Sequence, residues 1–308
     1  MLRAFFVHFS ENRSLRNFAE RSTLGRRVSG RFVAGTEIVD AVRVTQAVNR
    51  AGMSVTIDNL GENVTNPEEA RHSAGLYHQI LEAIAASQLT ANISLKLTHM
   101  GLDVDEKLAR DLVSGLVARA ASMTPPGFVR VDMEGSPYTQ RTLDFVHELH
   151  GMPGNGNSVG TVIQAYLKRS ESDIEKLLAE GIRIRLCKGA YKEPASIAFE
   201  SKTDVDANYL KLMKILMKSG IYHGLATHDE KIIRQAQDFA TRETIARDSF
   251  EFQMLYGIRR DLQASLVRDG WRMRVYIPFG TEWYPYFMRR LGERPANVFF
   301  IARHMLRS

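Results

Sequence analysis

A strict alternation of short apolar runs and longer amphipathic segments fills this chain from residue 54 onward. The first run, Ser54–Asp58, is rich in β-branched residues, and the next segment, Pro67–Ser87, places apolar residues at helical spacing. This pair of signals recurs eight times, and the last apolar run is Arg272–Pro278. Alternating strands and helices form parallel sheets, and eight repeats close into a barrel. The sequence therefore predicts the α/β class and a (βα)8 TIM barrel.

The predicted organisation is one barrel domain with a segment at each end. The predicted strands are 54–58, 93–97, 128–134, 160–167, 183–190, 222–228, 250–256 and 272–278. Residues 1–53 are predicted to form an N-terminal helical arm, and residues 54–308 the barrel. The tail from Arg294 to Ser308 is more apolar than a surface helix. We expect a C-terminal helix that packs on the barrel, with contact to a membrane or a partner as the alternative.

Composition limits the classes of function. Hydrophobic residues make up 44% and charged residues 25%, as in ordinary globular proteins. No apolar run approaches the roughly 20 residues that a membrane helix needs. The single cysteine, Cys187, excludes an internal disulfide, and the N-terminus lacks a signal-peptide pattern, so we expect a cytoplasmic location. The net charge of +6 is modest and forms no basic stripe interleaved with aromatic residues, so no nucleic-acid partner is expected.

Polar residues collect at the C-terminal ends of the predicted strands, where such barrels carry out their chemistry. They are Glu62, Lys96, Asp132, Glu134, Gln164, Arg185, Lys188, Thr227, His228, Gln253 and Tyr276. Each alone has a structural explanation, such as a turn cap or a charged group that reaches solvent. Together they place several charges at the C-terminal mouth of the barrel, where the charges must pair with each other or with a ligand. The cations among them predict an anionic ligand.

A pair of adjacent arginines follows the last predicted strand. The strand ends at Gly280 and leads into a short helix that carries Arg289 and Arg290. Two guanidinium groups, together with Lys96, suit a carboxylate, although a basic surface turn is the structural alternative. Lys188, just before Gly189, suits a phosphate or an electron-rich cofactor ring. The sequence has no His, Cys or carboxylate set at metal-ligand spacing, so no metal site is predicted.

Seven blocks, within about residues 54–300, match one known family in the family's order. They are Ser94–Thr98, Val131–Glu134, Ile163–Leu167, Arg185–Tyr191, Ala226–His228, Phe250–Gln253 and Tyr276–Glu293. With these blocks the chain resembles the FAD-dependent proline dehydrogenases, specifically the short monofunctional bacterial kind. Residues 1–50 match only loosely, and Cys187 stands where a plain apolar residue is expected. The chain has no trace of the aldehyde dehydrogenase domain of the bifunctional relatives.

The resemblance implies an activity and its partners. L-Proline would be oxidised to Δ1-pyrroline-5-carboxylate by hydride transfer from C5 to N5 of non-covalently bound FAD, as the first step of proline degradation to glutamate. The electrons would pass to a membrane quinone, which implies peripheral contact with the inner face of the cell membrane. A separate pyrroline-5-carboxylate dehydrogenase would act downstream.

The resemblance also implies roles for individual residues. The substrate-binding positions are Lys96, Arg289, Arg290, Tyr276, Leu255, Tyr286 and Tyr191. The catalytic pair is Asp132 and Arg185. The cofactor-binding positions are Met133, Gln164, Arg185, Lys188, Gly189, Ala190, Thr227 and His228. Glu62 would pair with Arg289 as a gate that closes the site.

Tyr276 bears on the choice of substrate, because in the family a tyrosine here leaves little room for a 4-hydroxyl group and so favours proline. Two alternatives stay open. One is flavin-dependent oxidation of another small imino acid, such as hydroxyproline. The other is a non-enzymatic basic binding module that uses the barrel as a scaffold.

Overall fold

The protein folds into a closed barrel of eight parallel strands, seen in a computed structural model that describes residues 30–293 and, for residues 289–293, the backbone only. Neighbouring strands pair in chain order, and β8 pairs with β1. The strands are β1 Ser54–Asn59, β2 Ala91–Leu95, β3 Val129–Val131, β4 Val159–Gln164, β5 Arg183–Cys187, β6 His223–Ala226, β7 Phe250–Leu255 and β8 Met273–Phe279. The predicted (βα)8 barrel is confirmed.

Helices connect the strands. They are α1 Ile38–Arg50, α2 Pro67–Ala86, α3 Glu106–Ala121, α4 Ser136–Gly151, α5 Ser170–Ala179, α6 Lys202–Lys218, α7 Glu230–Arg242, α8 Arg260–Arg268 and α9 Trp283–Glu293. Several begin with a capping side chain, such as Asn66, whose Oδ1 accepts a hydrogen bond from the backbone N–H of Glu69 at 3.0 Å. Such caps satisfy N–H groups that the first helical turn leaves unpaired.

The main hydrophobic core lies between the strands and the surrounding helices. Outward-facing strand residues such as Ile57, Leu95 and Val131 are almost fully buried there. Side chains alternate along a strand, so the neighbouring positions face into the barrel. Inside, many of these positions are polar or charged, for example Asp58 and Arg130, both buried. This interior differs from the bulky aliphatic layers typical of TIM barrels.

The first and last described helices occupy different places. α1 packs against β8 and β1 on the outside of the barrel, where Ala41 and Val44 join the main core. α9 contributes to a second apolar cluster, in which Trp283 and Phe287 pack with Phe32. That cluster also contains Leu60 and Ile258, in the segments that follow β1 and β7. α9 therefore lies beside the C-terminal mouth of the barrel.

The turn between β8 and α9 depends on Gly280. Its backbone φ of +122° is one that residues with a side chain rarely adopt, and an added Cβ would lie 2.8 Å from Asn59 Oδ1. Its N–H donates a hydrogen bond to the carbonyl of Gly35 at 3.0 Å, and the N–H of Ala34 donates to the carbonyl of Pro278. The chain before α1 is thus joined to the end of the last strand.

Two predicted features lie outside the described residues, namely the part of the N-terminal arm from residue 1 to 29 and the tail from Arg294. The domain boundary between residues 53 and 54 stays a prediction. Among the described residues, no helix is both long and apolar enough to cross a bilayer.

Candidate active site

A cavity of about 1150 Å³ opens at the C-terminal mouth of the barrel. Side chains from or just after all eight strands line it: Asp58, Lys96, Asp132, Gln164, Arg185, Ala226, Gln253 and Tyr276. Strand ends meet at this mouth, so residues far apart in sequence come together there. Every predicted site residue whose side chain the structure describes lines this cavity.

Lys96 lies among carboxylates. Its Nζ is 3.8 Å from Asp58 Oδ1 and 4.0 Å from Glu62 Oε1. Burial acts to lower the pKa of Lys96, but the negative charges of Asp58, Asp132 and Glu62 outweigh it and hold that pKa above its usual value. Lys96 is therefore a permanent cation at neutral pH.

Asp58 is a site residue that the sequence analysis missed. Its side chain is 2% exposed, and burial raises its pKa to about 6, although the charge of Lys96 opposes the rise. The hydroxyl of Tyr77 in α2, which donates to the carbonyl of Ser94 at 2.7 Å, lies 3.4 Å from Asp58 Oδ1. The signal in the sequence is an acidic residue near the end of a strand rich in β-branched residues, Ser54–Asn59.

Asp132, Tyr276 and Arg185 form a second group of contacting side chains in the cavity. The Tyr276 hydroxyl donates to Asp132 Oδ2 at 2.7 Å, and Ser94 Oγ donates to Asp132 Oδ1 at 2.6 Å. The Arg185 guanidinium carbon lies 5.2 Å from the centroid of the Tyr276 ring. Burial and the charge of Asp132 raise the pKa of Tyr276, so its hydroxyl stays protonated and keeps donating.

The outer rim of the cavity carries a network of lysines and aspartates. Lys188 Nζ lies 2.9 Å from Asp229 Oδ2 and 2.5 Å from Asp206 Oδ1. Lys202 contacts the same two carboxylates. Further cations line this side of the cavity, and they are Lys192, Lys231, Arg234 and Arg259. The rim thus offers positive groups to an anionic ligand.

Most of the predicted cofactor positions also line the cavity: Met133, Gln164, Gly189, Ala190, Thr227 and His228. Gln164 is buried, and its Nε2 donates to the carbonyl of Glu134 at 2.9 Å. His228 Nε2 accepts a hydrogen bond from the backbone N–H of Leu255 at 2.9 Å, which assigns the ring proton to the other nitrogen in the neutral form.

The remaining predicted substrate residues supply apolar surface. Leu255 packs against the second apolar cluster, to which the buried Tyr286 of α9 belongs. Tyr191 is 37% exposed at the entrance. Arg289 and Arg290 belong to α9, but their side chains lie outside the described part of the structure, and so does the predicted contact between Glu62 and Arg289.

No group of three or more His, Cys, Asp or Glu side chains among the described residues is arranged to hold a metal ion. The absence of a metal from the protein stays a prediction.

A family model described as proline dehydrogenase matches residues 41–303 of the chain. The match includes all eight strands and the lining of the cavity. The chain belongs to the proline dehydrogenase family. This confirms the family identified from the seven sequence blocks.

Individual proline dehydrogenases are similar to the chain over its whole length or most of it. Proline dehydrogenase 1 of Bacillus subtilis strain 168 is 41% identical over 309 residues, which cover 100% of both proteins. The proline dehydrogenase of Deinococcus radiodurans is 41% identical over 280 residues, covering 90% of this chain and 89% of the relative.

A solved structure has the same barrel. The crystal structure of proline utilization A from Bdellovibrio bacteriovorus, inactivated by N-propargylglycine, matches with a TM-score of 0.80 and 25% identity, over 87% of this chain and 32% of that one. The chain spans about a third of the length of that protein. The likeness therefore concerns one part of a longer chain.

Proposed function

We propose that this protein oxidises L-proline to Δ1-pyrroline-5-carboxylate with non-covalently bound FAD. The observation that carries the proposal is a single cavity, in a member of the proline dehydrogenase family, lined by Lys96, Asp132, Arg185 and Tyr276. These side chains combine a largely buried cation, a fixed tyrosine ring and a second cation within one enclosure. A binding module without catalytic activity gives no reason for such an arrangement.

The cavity fits FAD in size and in charge. Its volume of about 1150 Å³ exceeds the roughly 300–1,000 Å³ typical of pockets for drug-sized ligands, as a site for a dinucleotide and a substrate requires. Lys188 and the cations of the outer rim would hold the pyrophosphate. Gln164, Thr227 and His228 would contact polar edges of the flavin, beside Met133, Gly189 and Ala190. When bound, FAD would supply an acceptor, N5, for the hydride from C5 of proline.

Lys96 would bind the carboxylate of proline together with Arg289 and Arg290. Its charge is secure at neutral pH because the surrounding carboxylates stabilise it. A cation fixed by two acidic neighbours also loses little conformational entropy when the substrate arrives. The carboxylate anchor would set the position of C5, the reacting atom, several bonds away.

The rings of Tyr276, Tyr191 and Tyr286, with Leu255, would enclose the pyrrolidine ring and exclude water. Tyr276 is held by Asp132 at 2.7 Å, so its ring cannot move aside easily for a 4-hydroxyl group. This supports proline as the preferred substrate over hydroxyproline, which stays the alternative. Arg185 would stabilise the negative charge that develops on the reduced cofactor.

Glu62 would act as a gate. It follows β1 and lies 4.0 Å from Lys96 with its side chain partly exposed, at the edge of the cavity. We expect it to pair with Arg289 when substrate is bound, closing the site.

The further steps also belong to the proposal. Electrons would pass from the reduced cofactor to a membrane quinone, which implies a cytoplasmic protein in peripheral contact with the inner face of the cell membrane. The product would be oxidised to glutamate by a separate pyrroline-5-carboxylate dehydrogenase.

The proposal is tested by anaerobic titration of the purified protein, reconstituted with FAD, while its visible spectrum is recorded. We expect a flavin spectrum that bleaches with L-proline and less with trans-4-hydroxy-L-proline. A flavin that stays oxidised with proline would favour another substrate. A protein that cannot take up FAD would refute the proposal.

A further inference from the structure

Gln253 is a buried amide inside the barrel that connects two charged side chains. It lies in β7, is 2% exposed, and accepts a hydrogen bond from Arg185 Nε on its Oε1 at 2.7 Å. Its Nε2 donates to Glu251 Oε1 at 2.7 Å. An arginine can only donate and an ionised carboxylate can only accept. A glutamine satisfies both neighbours at once in a single orientation of its amide.

Glu251 holds that orientation. It is 2% exposed and also accepts hydrogen bonds from Arg274 Nε at 2.6 Å and from the Tyr222 hydroxyl at 2.9 Å. Burial acts to raise the pKa of Glu251, but Arg274 and the hydrogen-bond donors outweigh it and lower that pKa. Glu251 therefore stays an ionised acceptor, and the amide nitrogen of Gln253 must face it.

Gly224 of β6 makes room for the amide. It is the strand partner of Arg185 on one side and of Glu251 on the other. A Cβ added at Gly224 would lie 2.3 Å from Gln253 Nε2 and 2.8 Å from its Cδ. The space in which a side chain of residue 224 would lie is thus filled by the glutamine amide.

We infer that Gln253 is a positioning residue for Arg185, held in place by Glu251 and Gly224. Through Oε1 it fixes the Arg185 guanidinium above the Tyr276 ring at the floor of the cavity. The inference rests on the proposed function, because the orientation of Arg185 matters to catalysis only if a flavin lies beside it. An Arg185 without this anchor would lose the acceptor of its Nε–H and would stabilise the reduced flavin less.

The test uses Gln253→Met, which keeps the length of the side chain but removes both amide groups. We expect a tenfold shift of the flavin equilibrium toward the oxidised form, which for a two-electron couple is about 30 mV. The midpoint potential is measured against a reference dye with enzymatic reduction, without proline. We also expect kcat to fall about tenfold while KM for proline changes less than about twofold, because the carboxylate anchor is intact.

Gly224→Ala is a second, independent variant. The backbone at residue 224 does not need glycine, and the atom nearest to the new Cβ is the end of a flexible side chain. The alanine should displace the Gln253 amide and lower the midpoint potential in the same direction. The double variant Gly224→Ala/Gln253→Met should behave like Gln253→Met alone, since each change removes the same contact, the hydrogen bond between Gln253 and Arg185.

Thr56→Val is the matched control. It removes the buried hydrogen bond from Thr56 Oγ1 to Asn92 Oδ1, 2.6 Å long, between β1 and β2. It should destabilise the barrel as any lost interior hydrogen bond does, and leave the midpoint potential unchanged.

A measurement on the protein without FAD separates this inference from the proposed function. Hydrogen exchange of the Arg185 Nε–H, followed by NMR, should be faster in Gln253→Met than in wild type or Thr56→Val. Unchanged exchange, or an unchanged midpoint potential in Gln253→Met and Gly224→Ala, would overturn the inference. A wild-type protein that binds no flavin, or whose flavin proline does not reduce, would refute the proposed function, while the exchange measurement would still test the contact.

Discussion

At the scale of single residues, the floor of the cavity depends on a lysine that is charged because acidic neighbours surround it. Lys96 is close to both Asp58 and Glu62. The same neighbours would repel the carboxylate of a substrate if the lysine were absent. Removing Lys96 therefore has two effects on substrate binding, the loss of an attraction and the gain of a repulsion.

We expect Lys96→Met to lower kcat/KM for proline by at least about 10- to 100-fold, which is about 1.4–2.8 kcal/mol, mainly through KM. Steady-state kinetics with a saturable artificial electron acceptor would measure it. Lys107→Met, at a largely exposed pair with Asp111, is the control and should have wild-type kinetics. An unchanged KM in Lys96→Met would contradict the assigned role.

Asp58 should make the stability of the protein depend on pH. Its pKa of about 6 in the folded state exceeds the ordinary 3.8, so between these values the folded state binds more protons than the unfolded state. Stability therefore falls as pH rises from about 4 to about 6. For Asp58→Asn, which cannot titrate, the free energy of unfolding relative to wild type should increase over that range by an amount on the order of 2–3 kcal/mol.

Urea unfolding at several pH values between 4 and 7 would measure this difference. The control is Asp111→Asn on the surface of α3, for which we expect no comparable trend. A difference between Asp58→Asn and wild type that stays constant with pH would show that Asp58 does not titrate in this range.

At the scale of helices and strands, the periodicity of the sequence predicted every strand of the barrel, with ends that differ by a few residues. The largest difference is β3, predicted as 128–134 and observed as Val129–Val131. The backbone N–H of Asp132 still donates to the carbonyl of Leu95 in β2 at 2.8 Å, and beyond it the side chain of Glu134 accepts a hydrogen bond from Thr98. Periodicity does not register such contacts between strand ends.

The sequence predicted the residues that line the cavity better than the buried polar residues that hold them in place. Polar residues at the C-terminal ends of strands could be predicted to line the cavity, because a barrel brings all these ends together. Asp58, Glu251 and the role of Gln253 were not predicted, because a polar residue within a strand faces either solvent or the interior, and one sequence does not distinguish these. In this protein the helices cover the outer faces, so the polar positions face inward.

Two glycine substitutions should have opposite effects on stability. Gly280→Ala, at φ +122° and with Asn59 Oδ1 2.8 Å from the new Cβ, should cost about 1–3 kcal/mol and disturb the entry into α9. Gly75→Ala, inside α2 and with no atom within 4 Å of the new Cβ, should stabilise the protein by about 0.5–1 kcal/mol. Chemical denaturation measures both changes.

The two glycine variants serve as each other's control for the Gly-to-Ala change itself. Gly280→Ala should also raise KM for proline, because α9 carries Tyr286 and the two arginines, whereas Gly75→Ala should not. Equal stability changes in the two variants would refute the role of the left-handed turn.

At the scale of the whole molecule, the layer of helices around the barrel is closed by a helix that precedes the first strand. α1 packs on both β8 and β1, while α9, which follows β8, lies at the mouth. The segment before β1 is therefore part of the packing of the barrel, and its removal would uncover the seam where the first and last strands meet.

Two substitutions in α1 test this closure. Val44→Asp places a charge in the main core, where Val44 is 7% exposed, and should destabilise the protein by about 3 kcal/mol or more. Val39→Asp, at a position 70% exposed, should change stability by less than about 0.5 kcal/mol. Thermal unfolding followed by circular dichroism compares them. Similar unfolding temperatures for the two variants would show that α1 is dispensable.

The hydrogen bond from Gly280 to the carbonyl of Gly35 joins the end of β8 to the segment before α1, two parts of the chain that the ribosome synthesises far apart in time. A ribosome releases the chain from its N-terminus, so α1 emerges long before β8, against which it packs. Until residue 280 has left the exit tunnel, the apolar face of α1 cannot pack on β8, and β1 has no partner strand on that side. The seam between the first and last strands can therefore close only after β8 has emerged, so α1 is fully packed late in the making of the barrel.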